Sequence, residues 1–259
     1  ILLLWIFKLF NERIFTMNEN FEFQSPIEND ENSKVEDVQT TESIDALEKI
    51  GEVPSNNAKY PISCINIIGQ IEGHYLLPSN TKTTKYEHLL PLPIEQDRSI
   101  KGLLILLNTA GGDVEAGLGI AELIASMKIP TVSLVLGGGH SIGVPLAVST
   151  KKSFIVPSAT MTIHPVRVNG LVLGVPQTLD WLNSMQNRIV NFVCKHSNIT
   201  AKKFNQLLFN TNELVMDIGT VLNGKSAVEL GLIDSLGGIS DALDCLYSLI
   251  ESSTERYSD

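Results

Sequence analysis

The sequence predicts an α/β domain built on parallel strands. Two observations carry that reading: short apolar runs of strand length alternate with segments of helical apolar spacing, and the runs end in glycines. The length of 259 residues, with 43% hydrophobic and 19% charged content, allows one ordinary domain with a sizeable core and a tail.

Order is expected to begin at Ile62-Ser-Cys-Ile-Asn-Ile-Ile-Gly69, a β-branched run suited to a buried strand. Residues 72–98 hold Pro78, Pro91 and Pro93 with little periodicity, which predicts an extended surface loop with one short helix near Tyr86 to Leu90. Leu103-Leu-Ile-Leu-Leu107 is the next strand, broken by Asn108-Thr-Ala-Gly-Gly-Asp113 and followed by a helix from Val114 to Met127. The rhythm repeats with a strand at Ile129 to Leu136, a break at Gly137-Gly-Gly-His140 and a helix at Ser141 to Val148. Extended pieces follow at Ser153 to Val156 and Thr160 to His164. Thr178 to His196 reads as a long helix whose apolar surface is broader than one core contact needs: Leu182, Met185, Ile189 and Phe192 form a stripe, with Trp181, Val190 and Cys194 off it. Helices at Ala201 to Phe209, Ser226 to Leu230 and Ser240 to Ile250 complete the chain.

Ahead of this domain, residues 1–16 are apolar at the start but too short for a bilayer span, and they lack a cationic lead and a small-residue cleavage site. The first methionine is Met17, so residues 1–16 are read as a doubtful N-terminal extension. Residues 17–57 read as an acidic disordered tail, with ten acids against Lys34 and Lys49 up to Ile50. Residues 58–259 form the expected folded domain. The formal net charge of −10 and the lack of a basic patch argue against a nucleic-acid binder. Three widely spaced cysteines, Cys64, Cys194 and Cys245, suggest neither a disulfide framework nor a zinc site, and fit a reducing compartment such as the cytoplasm.

The strongest chemical motif is Gly139-His-Ser-Ile-Gly143, between a strand and a helix. A serine at such a junction has a raised Oγ and free backbone N–H groups nearby that bind a developing oxyanion. A serine nucleophile needs a base, and only five histidines exist: His74, His88, His140, His164 and His196. His74 and His88 fall in the polar loop, His196 ends a helix, and His140 is adjacent to Ser141, where neighbouring side chains diverge. His164 ends an apolar strand just before Pro165 and is the best candidate base. For a third group to orient the imidazole, Asp217 lies amid apolar residues and is favoured over Asp180 and Asp234. Gly111 and Gly112 let the backbone of the preceding strand end approach a substrate carbonyl, on the same sheet edge as Ser141. Gly219-Thr-Val-Leu-Asn-Gly-Lys-Ser226 matches the P-loop pattern, but too little chain follows to hold a nucleotide, so no cofactor or metal is expected.

Read in order, Asn108-Thr-Ala-Gly-Gly-Asp113, Gly139-His-Ser-Ile-Gly143, Ile163-His164-Pro165 and Ala227-Val-Glu-Leu-Gly-Leu-Ile-Asp-Ser235 resemble the Clp protease proteolytic subunit (ClpP) family from about Ile62 to Tyr247. The long proline-bearing loop and Thr160 to Gly170 bring the chain closest to the family's translocation-enhancing branch. The resemblance implies a ClpP/crotonase-like fold of repeated β-β-α units and rings of subunits joined through a strand-helix handle at Pro165 to His196. It also implies serine endopeptidase activity on unfolded proteins, with an unfoldase ATPase as a partner. It casts Ser141 as nucleophile, His164 as general base, and the N–H groups of Gly112 and Ile142 as the oxyanion hole. Asp217 matches the third member only if two extra residues separate it from Ala227. His140 stands where the family has a small residue, and Pro165 where it often has a polar residue before a proline. Rival readings are a catalytically weak Clp-like scaffold and a crotonase-like acyl-CoA enzyme. An α/β-hydrolase esterase fits less well, because its order is Ser, Asp/Glu, His.

Overall fold

The computed structural model describes residues 59–73, 83–85, 91–168, 173–211 and 218–255, all within the compact unit Lys49–Asp259. The expectations for residues 1–16 and 17–57, for a helix at 86–90 and for Asp217 lie outside the described residues.

Among the described residues, six parallel strands form the main sheet in the order β2-β1-β3-β4-β5-β8. They are β1 (Ile62–Glu72), β2 (Thr83–Lys85), β3 (Gly102–Gly112), β4 (Thr131–Gly139), β5 (Lys152–Ile155) and β8 (Ser235–Leu236). A side branch is made by β6 (Thr160–Ile163) and β7 (Thr220–Asn223), which pair antiparallel, while β6 touches the end of β4 through Gly138 and Thr160. The helices are α1 (Leu92–Gln96), α2 (Val114–Ser126), α3 (Gly143–Val148), α4 (Pro176–His196), α5 (Ala201–Leu208), α6 (Gly224–Glu229) and α7 (Ile239–Glu255).

The apolar runs read as strands because both sheet faces are covered. Leu103, Ile105, Leu107, Val135 and Ile155 pack with α2 and α3 residues such as Ile120, Ile124 and Leu146 in one cluster. The alternate residues Leu104, Val132, Leu134 and Phe154 pack against Ala242, Leu246 and Ile250 of α7 in a second. Leu246 is fully buried there, so Leu246→Ala should cost about 2–5 kcal/mol, read as a lowered midpoint in denaturant unfolding. Helix α2 starts where Asp113 caps it by accepting from the Ala116 N–H at 2.8 Å. Pro176 opens α4, and Lys195 complements the dipole at its end.

Three local expectations are corrected. The stretch expected to be one long loop contains β2, which adds to the edge of β1, and α1. Strand β1 runs on to Glu72 through an irregularity at Gly69/Gln70. The glycine-bearing segments 108–112 and 137–139 do not break their strands; they are the strand ends of β3 and β4. Glycine is tolerated there because neighbouring strands supply the ladder and the missing side chains leave room for others. The P-loop-like letters form β7, paired with β6, and the start of the six-residue α6. Backbone between those glycines is therefore extended rather than wrapped around a phosphate. Among the described residues no helix is long and apolar enough to cross a membrane, and no cluster of metal-ligating side chains occurs.

Candidate active site

The candidate site forms where β3 and β4 end side by side. Thr109 pairs with Gly139, and beyond it the chain turns through His140 and Ser141 into α3. Ser141 is the only non-glycine residue with positive φ among the described residues, at 57°. That left-handed conformation costs about 1–2 kcal/mol and persists only where neighbours hold it. Four backbone hydrogen bonds do so: His140 N–H to the Thr109 carbonyl (3.1 Å), Ser141 N–H to the Thr162 carbonyl (2.8 Å), Gly143 N–H to the His140 carbonyl (2.8 Å) and Val144 N–H to the Ser141 carbonyl (3.0 Å).

Gly111 faces this turn. A Cβ there would lie 2.7 Å from Ser141 Cβ and 3.3 Å from Ser141 Oγ, and its φ is +91°. Strand β3 thus brings Gly111 against the serine. Thr109 fixes this end of β3, its hydroxyl donating to the Gly69 carbonyl at 2.6 Å and accepting from the Gly111 N–H at 3.0 Å. Gly112 backs onto Ile71, whose carbonyl would lie 2.1 Å from any Cβ at 112. Ile142, the N-cap of α3, has an N–H without an intrahelical acceptor, and its side chain is buried against Gly117, where a Cβ would meet Ile142 Cγ1 at 2.4 Å.

His164 follows the last residue of β6 and is half-buried. Its Nδ1 lies 2.7 Å from the Pro165 carbonyl oxygen. A carbonyl only accepts, so Nδ1 carries the proton and Nε2 keeps its lone pair, the tautomer a general base needs. Gly219 presses on this residue: a Cβ at 219 would stand 2.4 Å from the Ile163 carbonyl and 2.9 Å from His164 Cβ. The chain two residues after Asp217 therefore abuts the histidine, while Asp217 itself is outside the described residues. The competing aspartates are accounted for elsewhere. Asp234 accepts from both the N–H and the hydroxyl of Ser153, at 2.9 and 3.0 Å, with Lys152 at 3.5 Å; Asp180 is exposed on α4.

Two contacts were not anticipated from sequence. Buried Gln186 of α4 accepts the Val166 N–H at 2.9 Å, tying the segment after His164 to the long helix. Asn108 Oδ1 accepts the Gly138 N–H at 3.0 Å across the ends of β3 and β4. Asn108 lies inside a motif already singled out; Gln186 gives no sequence signal, since helix periodicity reports only apolar positions.

The arrangement sets a left-handed serine against Gly111, and the segment just past β6 carries a histidine of the tautomer a base needs. The profile of the Clp protease family matches residues 63–239, from β1 through β8. The chain belongs to the Clp protease family. Membership supports a peptidase function. Among family relatives, the translocation-enhancing protein TepA of Halalkalibacterium halodurans is 56% identical over 211 residues, 79% of this chain and 82% of its own length. The ATP-dependent Clp protease proteolytic subunit 1 of Protochlamydia amoebophila is 26% identical over 139 residues, 52% of this chain and 65% of its own. A solved structure of a ClpP1 mutant from Listeria monocytogenes matches with a TM-score of 0.55 and 19% identity, covering 70% of this chain and 94% of that one. The Clp family fold expected from the motifs, ClpP/crotonase-like with a parallel sheet, is borne out.

Proposed function

We propose that the chain is a Clp-type serine endopeptidase subunit that cleaves peptide bonds in unfolded proteins. Ser141 Oγ attacks the substrate carbonyl while His164 Nε2 takes its proton. The N–H groups of Gly112 and Ile142 hold the oxyanion. Protonated His164 gives its proton to the leaving amine, leaving an ester on Ser141. Water, deprotonated by His164, then hydrolyses that ester and restores the serine. Asp217 is the proposed third member; to orient His164 it would take over the Nδ1–H that the Pro165 carbonyl accepts in this structure. The observation that carries the reading is the forced left-handed Ser141, seated against Gly111 in the family's domain.

Subunits assemble into rings. The exposed apolar side chains Val175, Leu179 and Trp181 on and before α4 support a handle buried against further copies. An unfoldase ATPase would feed the ring, a role in keeping with the names of its ATP-dependent relatives. The TepA relationship favours work linked to protein translocation or quality control, on the cytoplasmic side.

The test is hydrolysis of an unfolded protein by the wild type and by Ser141→Ala. Cleavage by the wild type and a loss on the order of 10⁴-fold or more in the variant are expected. Rings of wild type that hydrolyse nothing would favour a Clp-like scaffold instead, and acyl-CoA turnover surviving in Ser141→Ala would favour the crotonase-like reading.

A further inference from the structure

His140 bears an imidazole that the proposed peptidase chemistry leaves unused, and the structure gives it a specific attachment. Its ring reaches across to β6, where Nδ1 accepts the Thr162 N–H at 3.1 Å and lies 2.9 Å from the Thr162 hydroxyl. An N–H can only donate, so this Nδ1 is unprotonated. The Thr162 carbonyl meanwhile accepts from the Ser141 N–H at 2.8 Å. Residues 140 and 141 thus hold three polar groups of Thr162, two positions before His164. The attachment matters because the ladder between β4 and β6 otherwise consists of one paired position, Gly138 with Thr160. The ring is also fixed in place: a Cβ on Gly138 would stand 2.6 Å from His140 Nε2, so glycine at 138 makes room for it.

We propose that His140 is a positioning residue: its unprotonated Nδ1 latches β6, and with it His164, onto the nucleophile turn, and protonation at Nδ1 releases the latch. Protonation consumes the lone pair that Thr162 uses and sets Nδ1–H against N–H. The inference rests on the Ser141–His164 reading only where it concerns reactivity.

The surroundings keep the latch closed at neutral pH. Burial, and then the nearby charge of His164, lower the His140 pKa below its ordinary 6.5. Among the described residues His164 is the only ionisable group that bears on it; its contacts on β3, β4 and β6 are Thr109, Gly138 and Thr162. With the folded value below 6.5, the unfolded chain takes up the proton first. The stabilisation is therefore complete above 6.5 and declines as pH falls toward the folded value. When His164 becomes cationic during turnover, that charge is the one that disfavours protonation of His140, so the latch stays shut during the reaction.

The test compares wild type, His140→Ala and His140→Asn as full chains. Asparagine Oδ1 occupies the place of His Nδ1 and accepts a hydrogen bond without titrating. Hydrogen exchange of the Thr162 amide, expressed as protection so that intrinsic pH dependence cancels, is measured from about pH 8 to about pH 5. Wild-type protection should fall about tenfold or more across that range, His140→Ala should be unprotected throughout, and His140→Asn protected throughout. The rate of fluorophosphonate labelling at about pH 7.5 should drop about tenfold in the alanine variant and return to within about threefold of wild type in the asparagine variant. Flat wild-type protection, or an asparagine variant as unprotected as alanine, would overturn the latch. Lost protection with undiminished labelling would overturn the positioning role. A wild type that shows the expected protection but is never labelled would support the latch and contradict the peptidase reading.

Discussion

Gly111→Ala is expected to silence Ser141 while leaving most of the fold in place. A methyl at 111 would need a φ of +91°, which L side chains rarely adopt, and would sit 2.7 Å from Ser141 Cβ and 2.9 Å from the His140 carbonyl. The nearest atoms are β-carbon and backbone rather than the end of a flexible chain, so the turn itself must move. Displacements near 1 Å in a reacting group cost about 10²-fold in rate. Peptide hydrolysis should therefore fall about a hundredfold or more, with a stability loss of about 1–3 kcal/mol from the strained backbone. Peptidase assay beside thermal unfolding separates the two. Unchanged hydrolysis would mean that Gly111 does not bear on the reacting serine.

His164→Ala should have the larger effect. Its Nδ1–H is held by the Pro165 carbonyl, which leaves Nε2 as the acceptor for the serine proton. Members of such catalytic sets act as a unit, so loss of the base alone should lower hydrolysis by about 10⁴ to 10⁶-fold. Little change in stability is expected, since no other described side chain relies on this ring for a hydrogen bond. Steady-state hydrolysis at neutral pH is the measurement; a loss of less than about tenfold would remove His164 from the mechanism.

Much of this was legible in the sequence because the relevant signals are local. The runs at 103–107 and 131–136 are apolar on both faces, and their strands are covered on both sides, by α2 and α3 on one and α7 on the other. Ser141 stood out through its flanking glycines, and His164 through its place at a strand end before proline. What local patterns do not report is which space a glycine vacates. Segments 108–112 and 137–139 read as breaks, yet they continue β3 and β4 because Gly111 clears Ser141, Gly137 clears Asn108 and Gly138 clears the His140 ring. Strand β2 was hidden because three residues at a sheet edge take their pairing from β1 rather than from their own periodicity. His140 read only as a replacement for the family's small residue beside the serine; its partner, Thr162, lies 22 residues away in the sequence and only the folded ladder brings the two together.

The central claim is that Ser141 is the nucleophile. It is tested most directly by treating the full-length protein with a fluorophosphonate, digesting it and locating the adduct by mass spectrometry. A single adduct on Ser141, absent from Ser141→Ala and strongly reduced in His164→Ala, is the expected result. An adduct elsewhere, or labelling that persists in Ser141→Ala, would contradict it.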